Sequence, residues 1–169
     1  MIEHFIFRDI RPEETDQAIL LEEICFPPHE QCSPEDIRSR IEKAPELFLV
    51  AEDPGTGRIA GFLCGIATNE TRFRDAFFTD SNLHDPNGRN IMLTGLNVGP
   101  AYRMQGLART LMATYLQRES LRPVRREMAV LTCLEEKVPM YTRMGFTDKG
   151  MSASVWGGEP WHEMTCPIR

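Results

Sequence analysis

The sequence from Ile91 to Ser120, "IMLTGLNVGPAYRMQGLARTLMATYLQRES", changes from an apolar run to a helical pattern through the short turn "YRMQGLA". The run Ile91–Val98 has the length and the apolar content of a buried strand. Five apolar or aromatic residues then recur at helical spacing: Leu107, Leu111, Met112, Tyr115 and Leu116. This order predicts a strand that leads through one turn into a helix.

The turn has the properties of a phosphate-binding site. The first backbone N–H groups of a helix have no partner within the helix, and the helix dipole is positive at that end. Gly106 has no side chain and Ala108 has a methyl group alone, so a phosphate group can approach the backbone, with Arg103 adding charge beside it. The residues expected to hold phosphate are Arg103, Met104, Gln105, Gly106, Leu107, Ala108 and Arg109.

The spacing excludes two common nucleotide-binding motifs. No Gly-Lys-Ser or Gly-Lys-Thr follows, as a P-loop requires, and the G-x-G-x-x-G spacing of a dinucleotide-binding fold is missing. The turn is therefore expected to hold a different nucleotide.

The first half of the chain predicts a strand, two helices and a hairpin. Ile2–Ile10 favours the strand, and Arg11–Phe26 favours a helix whose apolar face holds Ala18, Leu21, Ile24 and Cys25. Ser33-Pro34-Glu35-Asp36 is a typical helix start, with an N-cap, a proline and acidic residues. "ELFLVAE" and "RIAGFLCGIA" flank the turn "DPGTG", which predicts an antiparallel hairpin.

The second half predicts a strand–helix–strand unit. Thr68–Asn90 is polar and is expected to form a mobile excursion with one short helix. "EMAVLTC" should lie parallel to Ile91–Val98, because a helix joins the two, and ligands bind at the carboxyl ends of such strands. Pro139–Gly145 predicts a short helix, and "FTDKG" and "WHEMTCPI" predict two last strands. The fold class is α/β (α+β), with a mixed sheet flanked by helices.

Length and charge limit the partners. A chain of 169 residues with 41% hydrophobic content suits a single domain over residues 1–169. The formal charge of -6 gives no electrostatic footprint for nucleic acid and favours a small cationic partner. The expected state is a monomer or a homodimer.

The cysteines and the N-terminus indicate a reducing, cytoplasmic setting. Five cysteines without a CxxC pair suggest neither a disulfide framework nor a metal site. The N-terminus does not have the pattern of a signal peptide, and no apolar run has the length of about 20 residues that spans a membrane.

Two motifs carry a resemblance to a known family. The hexapeptide Arg103–Ala108 resembles the Q/R-x-x-G-x-G/A pattern with which GNAT acyltransferases hold the diphosphate of acetyl-CoA, and "PMYTRMGF" resembles a second segment of that superfamily. "EEICFPPHEQCSPEDIRSRI", "PELFLVAE", "IAGFLCG", "LHDPNG" and "WHEM" extend the likeness over nearly the whole chain, toward the arylalkylamine N-acetyltransferase branch.

The resemblance implies a GNAT-like twisted mixed sheet of six to seven strands, with a splayed parallel pair beside the phosphate-binding helix. It implies acetyl-CoA as cosubstrate and a small-molecule primary amine, of arylalkylamine or polyamine type, as acceptor. Gly95 fits a bulge in the first parallel strand, with Leu96, Asn97 and Val98 lining the opening. Tyr141 matches the family's tyrosine at the CoA sulfur, and its ordinary pKa near 10 suits a general acid.

The base that deprotonates the amine departs from the family pattern. Vertebrate members carry two histidines where this chain has Met92 and Thr94, neither of which can act as a base. Glu30, in the loop "CFPPHEQC", is the first replacement, as related non-vertebrate members carry a glutamate there. Glu135, His29 and His84 are further candidates.

The acceptor pocket and two alternatives complete the expectations. The pocket is expected to be shaped by Phe26, Pro27, Leu96 and Thr132. Loss of both histidines leaves open a non-catalytic CoA-binding module of the same fold, and a protein-interaction domain that does not bind CoA is a third alternative. A covalent intermediate on Cys133 is a weaker option, because no histidine is paired with it in the sequence.

Overall fold

The computed structural model describes residues 4–169. Its helices and strands, in chain order, are β1 (Ile6–Asp9), α1 (Thr15–Cys25), α2 (Pro34–Lys43), β2 (Phe48–Asp53), β3 (Arg58–Thr68), α3 (Ala76–Thr79), β4 (Asn90–Val98), α4 (Leu107–Ser120), β5 (Met128–Cys133), α5 (Val138–Arg143), β6 (Thr147–Met151) and β7 (His162–Pro167). The opening strand is confirmed at β1, and the part of that prediction at Ile2 and Glu3 lies outside the described residues.

One mixed sheet of seven strands runs through these residues in the order β1-β2-β3-β4-β5-β7-β6. β4 and β5 are parallel neighbours, and the other neighbouring strands are antiparallel. The hairpin of β2 and β3, the parallel pair joined by α4, and the two last strands are confirmed. The sheet therefore has the mixed architecture that the sequence predicts.

The two faces of the sheet carry separate apolar clusters. On one face, α4 packs its buried residues Leu107, Leu111, Met112 and Tyr115. On the other face, α1 and α2 cover Phe48 and Phe62, whose ring centroids lie 4.8 Å apart. Burying each such side chain contributes about 1.5–3 kcal/mol.

Helix α1 differs from its predicted pattern. Ala18 and Leu21 are buried, but Ile24 is 49% exposed, so its assignment to the apolar face is wrong. Glu22 takes the buried side instead, at 3% exposure. Its carboxylate accepts hydrogen bonds from other parts of the chain, which offset the cost of removing it from water.

Helix α2 begins as the sequence predicts. The Ser33 hydroxyl accepts a hydrogen bond of 3.1 Å from the Asp36 N–H, and the Asp36 carboxylate accepts one of 3.2 Å from the Ser33 N–H. This reciprocal capping box satisfies N–H groups that otherwise have no partner. It fixes the point at which the preceding loop, residues 26–33, enters the helix.

The excursion between β3 and β4 contains the short helix α3 and is held by buried aromatic residues. Phe73 and Phe77 are buried and contact each other edge to face, with ring centroids 5.8 Å apart. The short helix is confirmed. The mobility expected of this excursion stays a prediction.

The C-terminal end of α4 is fixed by a buried ion pair. Arg126 donates a hydrogen bond of 3.1 Å to Glu119, and Arg122 donates one of 2.6 Å to the other oxygen of the same carboxylate. Arg126 is buried, at 7% exposure, so this pair lies within the protein and not on its surface. Within residues 4–169, none of the helices has the length and apolar character needed to cross a membrane.

Candidate active site

The parallel strands β4 and β5 open into a gap at their carboxyl ends. They pair from Asn90–Met92 of β4 to Met128–Val130 of β5, and the rest of β4 does not continue that pairing. A shift in the β3–β4 register leaves Thr94 between the paired residues Leu93 and Gly95, so β4 is bulged there. The predicted splay and the predicted bulge near Gly95 are confirmed.

The backbone of Val98 faces this gap. The next N–H, that of Gly99, donates a hydrogen bond of 2.8 Å to Ala60 on the β3 side. Because the N–H and C=O groups of one peptide unit point in opposite directions, the C=O of Val98 points away from β3, and its N–H points the same way. The Val98 C=O accepts hydrogen bonds from the Arg103 guanidinium at 3.1 Å and the Cys25 thiol at 3.4 Å.

The turn before α4 presents a row of free backbone donors. Among the described residues, the six consecutive N–H groups from Met104 to Arg109 donate no hydrogen bond, and the first intrahelical bond is that of the Thr110 N–H to the Gly106 C=O at 3.0 Å. Gly106 has a φ of +77°, in the left-handed region, and a Cβ placed there would meet no atom of the described chain within 4 Å. The turn therefore has both the donors and the open space that a diphosphate group needs.

Two anchors hold this turn. The Tyr102 hydroxyl donates a hydrogen bond of 2.7 Å to Asp53 at the end of β2. This bond lowers the pKa of Asp53 and raises the pKa of Tyr102. Arg103 lies over the Val98 C=O and also reaches the Cys25 sulfur at 3.5 Å, so its side chain points to the end of β4 and not to the turn.

Tyr141 lies on α5, beyond the end of β5. Its ring contacts Phe146 edge to face at 6.0 Å, and its hydroxyl has no hydrogen-bond partner among residues 4–169. Burial raises the pKa of Tyr141, and the nearby Cys133 thiol raises it further. The phenol therefore stays protonated at neutral pH and is able to donate.

Cys133 is not set up as a nucleophile. Burial raises the pKa of its thiol to about 12, and the thiol donates to the sulfur of Met164 at 3.4 Å. Since the thiolate is the nucleophilic form, a covalent intermediate on Cys133 is disfavoured.

The loop of residues 26–33 meets the loop between β6 and β7. The Trp156 indole donates a hydrogen bond of 2.9 Å to the Glu30 C=O, and its ring contacts that of Phe78 in a tilted arrangement, with centroids 4.7 Å apart. His29 Nε2 lies 3.3 Å from the Glu30 carboxylate and 3.1 Å from that of Glu159. These three side chains lie close enough together to be considered as a metal-binding group, although the sequence suggests no metal site.

The other predicted residues are distributed as follows. Phe26 is half-buried and Pro27 exposed in the loop of residues 26–33, and Leu96 and Thr132 are half-buried on the two sides of the gap. The Asn97 side chain points to the other side, into the protein. Glu135 is exposed in a turn after β5, and His84 lies between the Ala67 N–H and Glu46, at 3.0 Å from each.

A buried polar network that the sequence did not indicate lies beneath the bulge. Glu22 accepts hydrogen bonds from the Cys32 N–H at 2.9 Å and from the Asn97 side-chain amide at 3.2 Å. Arg40, at 1% exposure, donates to the sulfurs of Cys32 and Cys64 at 3.4 and 3.6 Å. Two buried atoms of the described chain have no partner, Arg40 Nε and Asn97 Oδ1.

Comparisons with known proteins agree with this geometry. The model of the acetyltransferase (GNAT) family matches residues 13–146. Serotonin N-acetyltransferase of Mesocricetus auratus is 30% identical over 166 residues, which cover 96% of this chain and 77% of that protein. The match to the family model thus extends from α1 past Tyr141 and includes the turn before α4.

Solved structures share the fold. The GNAT-like decarboxylase GphF in complex with isobutyryl-CoA superposes with a TM-score of 0.82 at 21% identity, covering 97% of this chain and 100% of that chain. Phosphinothricin acetyltransferase of Sinorhizobium meliloti, in complex with acetyl-CoA, gives 0.69 at 14% identity, covering 98% and 89%.

Proposed function

The chain belongs to the acetyltransferase (GNAT) family, and from this premise we propose that residues 1–169 form one N-acetyltransferase domain. It transfers an acetyl group from acetyl-CoA directly to a primary amine of arylalkylamine or polyamine type. The observation that carries the proposal is the row of six free N–H groups beside the opened strands β4 and β5. The 30% identity to a serotonin N-acetyltransferase supports the class of acceptor.

The residues present fit acetyl-CoA. The N–H groups of Met104 to Arg109 bind its diphosphate in the space above Gly106. The Arg103 guanidinium, held on the Val98 C=O, places a positive charge at the end of β4, beside the gap. The pantetheine arm lies in the gap, along the unpaired edge of Leu96–Val98. Bound there, acetyl-CoA supplies the thioester carbon that the amine attacks.

Two groups of the chain act on the charge that develops in the reaction. The Val98 N–H, which faces the gap, polarises the thioester carbonyl as an oxyanion hole does. The Tyr141 hydroxyl donates a proton to the departing sulfur, because its raised pKa keeps the phenol protonated. An oxyanion-hole donor is worth roughly 100-fold to 1,000-fold in kcat.

The acceptor enters between the loop of residues 26–33 and the loop between β6 and β7. Glu30 and Glu159 place carboxylates at this entrance, which attract a protonated amine. Phe26, Pro27, Leu96 and Thr132 supply the apolar and small surfaces near the gap. Glu30 is the base that the sequence favours. Its carboxylate lies next to the half-exposed His29, through which a proton taken from the amine could pass to solvent.

The experiment is thiol release from acetyl-CoA by purified protein, with a panel of arylalkylamines, polyamines and lysine peptides. We expect release well above the blank with at least one arylalkylamine or polyamine, and mass spectrometry should show the acetylated amine. No release with any amine would contradict the proposal.

A second candidate function is a non-catalytic CoA-binding module. It is favoured by one observation: β4 carries Met92, which is fully buried, and Thr94, whose hydroxyl contacts Cys64, where a base is expected. In that case, acetyl-CoA would raise the melting temperature without being consumed. The same thiol assay separates the two functions.

A further inference from the structure

We infer that Glu22 takes the proton from the acceptor amine, an inference that rests on the proposed function and assigns a base to the same site. Glu22 was not among the residues that the sequence indicated. The argument depends on its contacts with β4, on the other candidate bases and on the charges around it.

The first step is position. Glu22 Oε1 accepts a hydrogen bond of 3.2 Å from the side-chain amide of Asn97, and Asn97 directly precedes Val98 on β4. Glu22 Oε2 accepts one of 2.9 Å from the N–H of Cys32, near the end of the loop of residues 26–33. The carboxylate thus lies one side chain away from the strand edge that lines the gap, on the face of the sheet that α1 and α2 cover.

The second step compares Glu22 with the other candidates. His84 is engaged by Ala67 and Glu46, and Glu135 is exposed beyond the end of β5. The Glu30 carboxylate contacts His29, which also contacts Glu159, in the loops outside the sheet. Among the described residues, Glu22 is the carboxylate that hydrogen-bonds to a β4 side chain next to Val98.

The third step is a free acceptor atom. Asn97 is 1% exposed, and its Oδ1 has no hydrogen-bond partner in the described chain. An unpaired buried acceptor is destabilising, so this oxygen is suited to accept a hydrogen bond from an internal water molecule. In the proposed transfer, such a water passes the proton from the amine in the gap to the Glu22 carboxylate.

The fourth step is charge. Three groups face Glu22 from the elements packed against it: the Arg40 guanidinium on α2, and the Cys32 and Cys64 thiols. Burial raises the pKa of Glu22, while the hydrogen bond from Cys32 and the charge of Arg40 oppose the rise. Both thiols have raised pKa values and stay neutral. Glu22 is therefore a stronger base than an exposed glutamate and keeps a cation to balance it.

The proton transfer balances in charge and atoms. One N–H bond of the ammonium group breaks, and the proton passes through the water to form an O–H bond on Glu22, which changes from carboxylate to carboxylic acid. The amine lone pair forms the C–N bond as the C–S bond breaks. The second amine proton replaces the one that Tyr141 gives to sulfur, and Glu22 returns its proton to solvent after the product leaves.

The test compares Glu22→Gln with two controls, using the best amine of the panel. Glutamine keeps the size of the side chain and an acceptor for the Cys32 N–H, but it cannot take a proton. We expect kcat to fall about 100-fold or more and the acidic limb of the kcat–pH profile to disappear. The acetyl-CoA Kd from calorimetry should stay within about threefold of wild type. Glu23→Gln, at the exposed next position of α1, should behave as wild type.

Each outcome decides the matter. A Glu22→Gln variant with wild-type kcat and wild-type pH profile would overturn the inference, and so would loss of the acidic limb in Glu30→Gln but not in Glu22→Gln. If wild-type protein releases no thiol with any amine, the proposed function fails and this inference fails with it. If wild type and Glu22→Gln release thiol equally fast, this inference fails and the proposed function stands.

A second variant covers the case in which circular dichroism shows that Glu22→Gln does not fold. Glu22→Asp keeps a carboxylate but draws it back by one methylene group. We then expect kcat to fall about tenfold while the acidic limb remains at a displaced pH. An aspartate variant with wild-type kcat and profile would overturn the inference.

Discussion

The hydroxyl of Tyr102 donates a hydrogen bond of 2.7 Å to the carboxylate of Asp53 and so ties the turn before α4 to the end of β2. The bond joins two residues that lie 49 positions apart in the sequence. It fixes the start of the segment whose free N–H groups are proposed to hold a diphosphate.

Tyr102→Phe should therefore weaken acetyl-CoA binding without closing the site. Removing the hydroxyl loosens the turn while the ring still packs on Phe5. We expect the Kd from calorimetry to rise about threefold to tenfold, as for the loss of one ordinary hydrogen bond. An unchanged Kd would show that Asp53 does not help to order the turn.

Gly106→Ala tests the phosphate site by filling it. The added methyl group meets no protein atom but projects into the space assigned to the diphosphate. We expect the acetyl-CoA Kd to rise at least about 100-fold, while the left-handed φ of +77° costs about 1–2 kcal/mol of stability. Calorimetry and thermal unfolding measure the two effects.

Gly150→Ala is the matched control for that variant. Gly150 also has a left-handed φ, +92°, and open space around a Cβ, but it lies in β6. It should lose similar stability and keep wild-type affinity for acetyl-CoA. Equal loss of affinity in both variants would mean that strain, and not steric block of the turn, explains the effect at Gly106.

Tyr141→Phe should slow the reaction with little effect on folding. The hydroxyl has no hydrogen-bond partner among residues 4–169, so its removal leaves no group unpaired. We expect kcat to fall about 10-fold to 100-fold, with the acetyl-CoA Kd within about threefold of wild type. A variant as fast as an active wild type in the thiol assay would remove Tyr141 from the mechanism.

The raised pKa of Glu22 also predicts how stability depends on pH. Burial raises the pKa in the folded state above that of the unfolded chain, so folding is favoured by protonation of this group. Its contribution is fully present below the unfolded pKa, near 4.3, and is lost as pH rises through the folded pKa. The free energy of unfolding in urea should be measured at acidic and at neutral pH. The part of its decrease from acidic to neutral pH that is due to Glu22 should be missing in Glu22→Gln, so this variant should lose less stability than wild type.

Local patterns in the sequence were sufficient for most of the fold. Apolar runs of strand length, the turn "DPGTG" and the capping box at Ser33 give the hairpin and α2, because each depends on neighbouring residues. The phosphate turn could be predicted for the same reason. Its donors belong to the backbone and depend on a helix start and on Gly106.

The polar interior could not be predicted from local patterns. By helical spacing, Ile24 was assigned to the apolar face of α1, yet Glu22 is the buried residue. Its partners Cys32 and Asn97 lie 10 and 75 residues away, and His29 meets Glu159 across 130 residues. Tertiary packing decides such contacts, and a carboxylate on a helix is otherwise assigned to the surface.

The sheet consists of two parts, β1–β4 and β5–β7. Strand pairing joins them only between β4 and β5, at three residue pairs. The amide groups of a bound pantetheine arm would hydrogen-bond to both strands where the β4–β5 hydrogen bonds are missing. The arm would then connect the two parts of the sheet and restrict their motion relative to each other. Amide hydrogen exchange in β5 and β7 should then slow when coenzyme A is added, even though most of that backbone lies outside the gap.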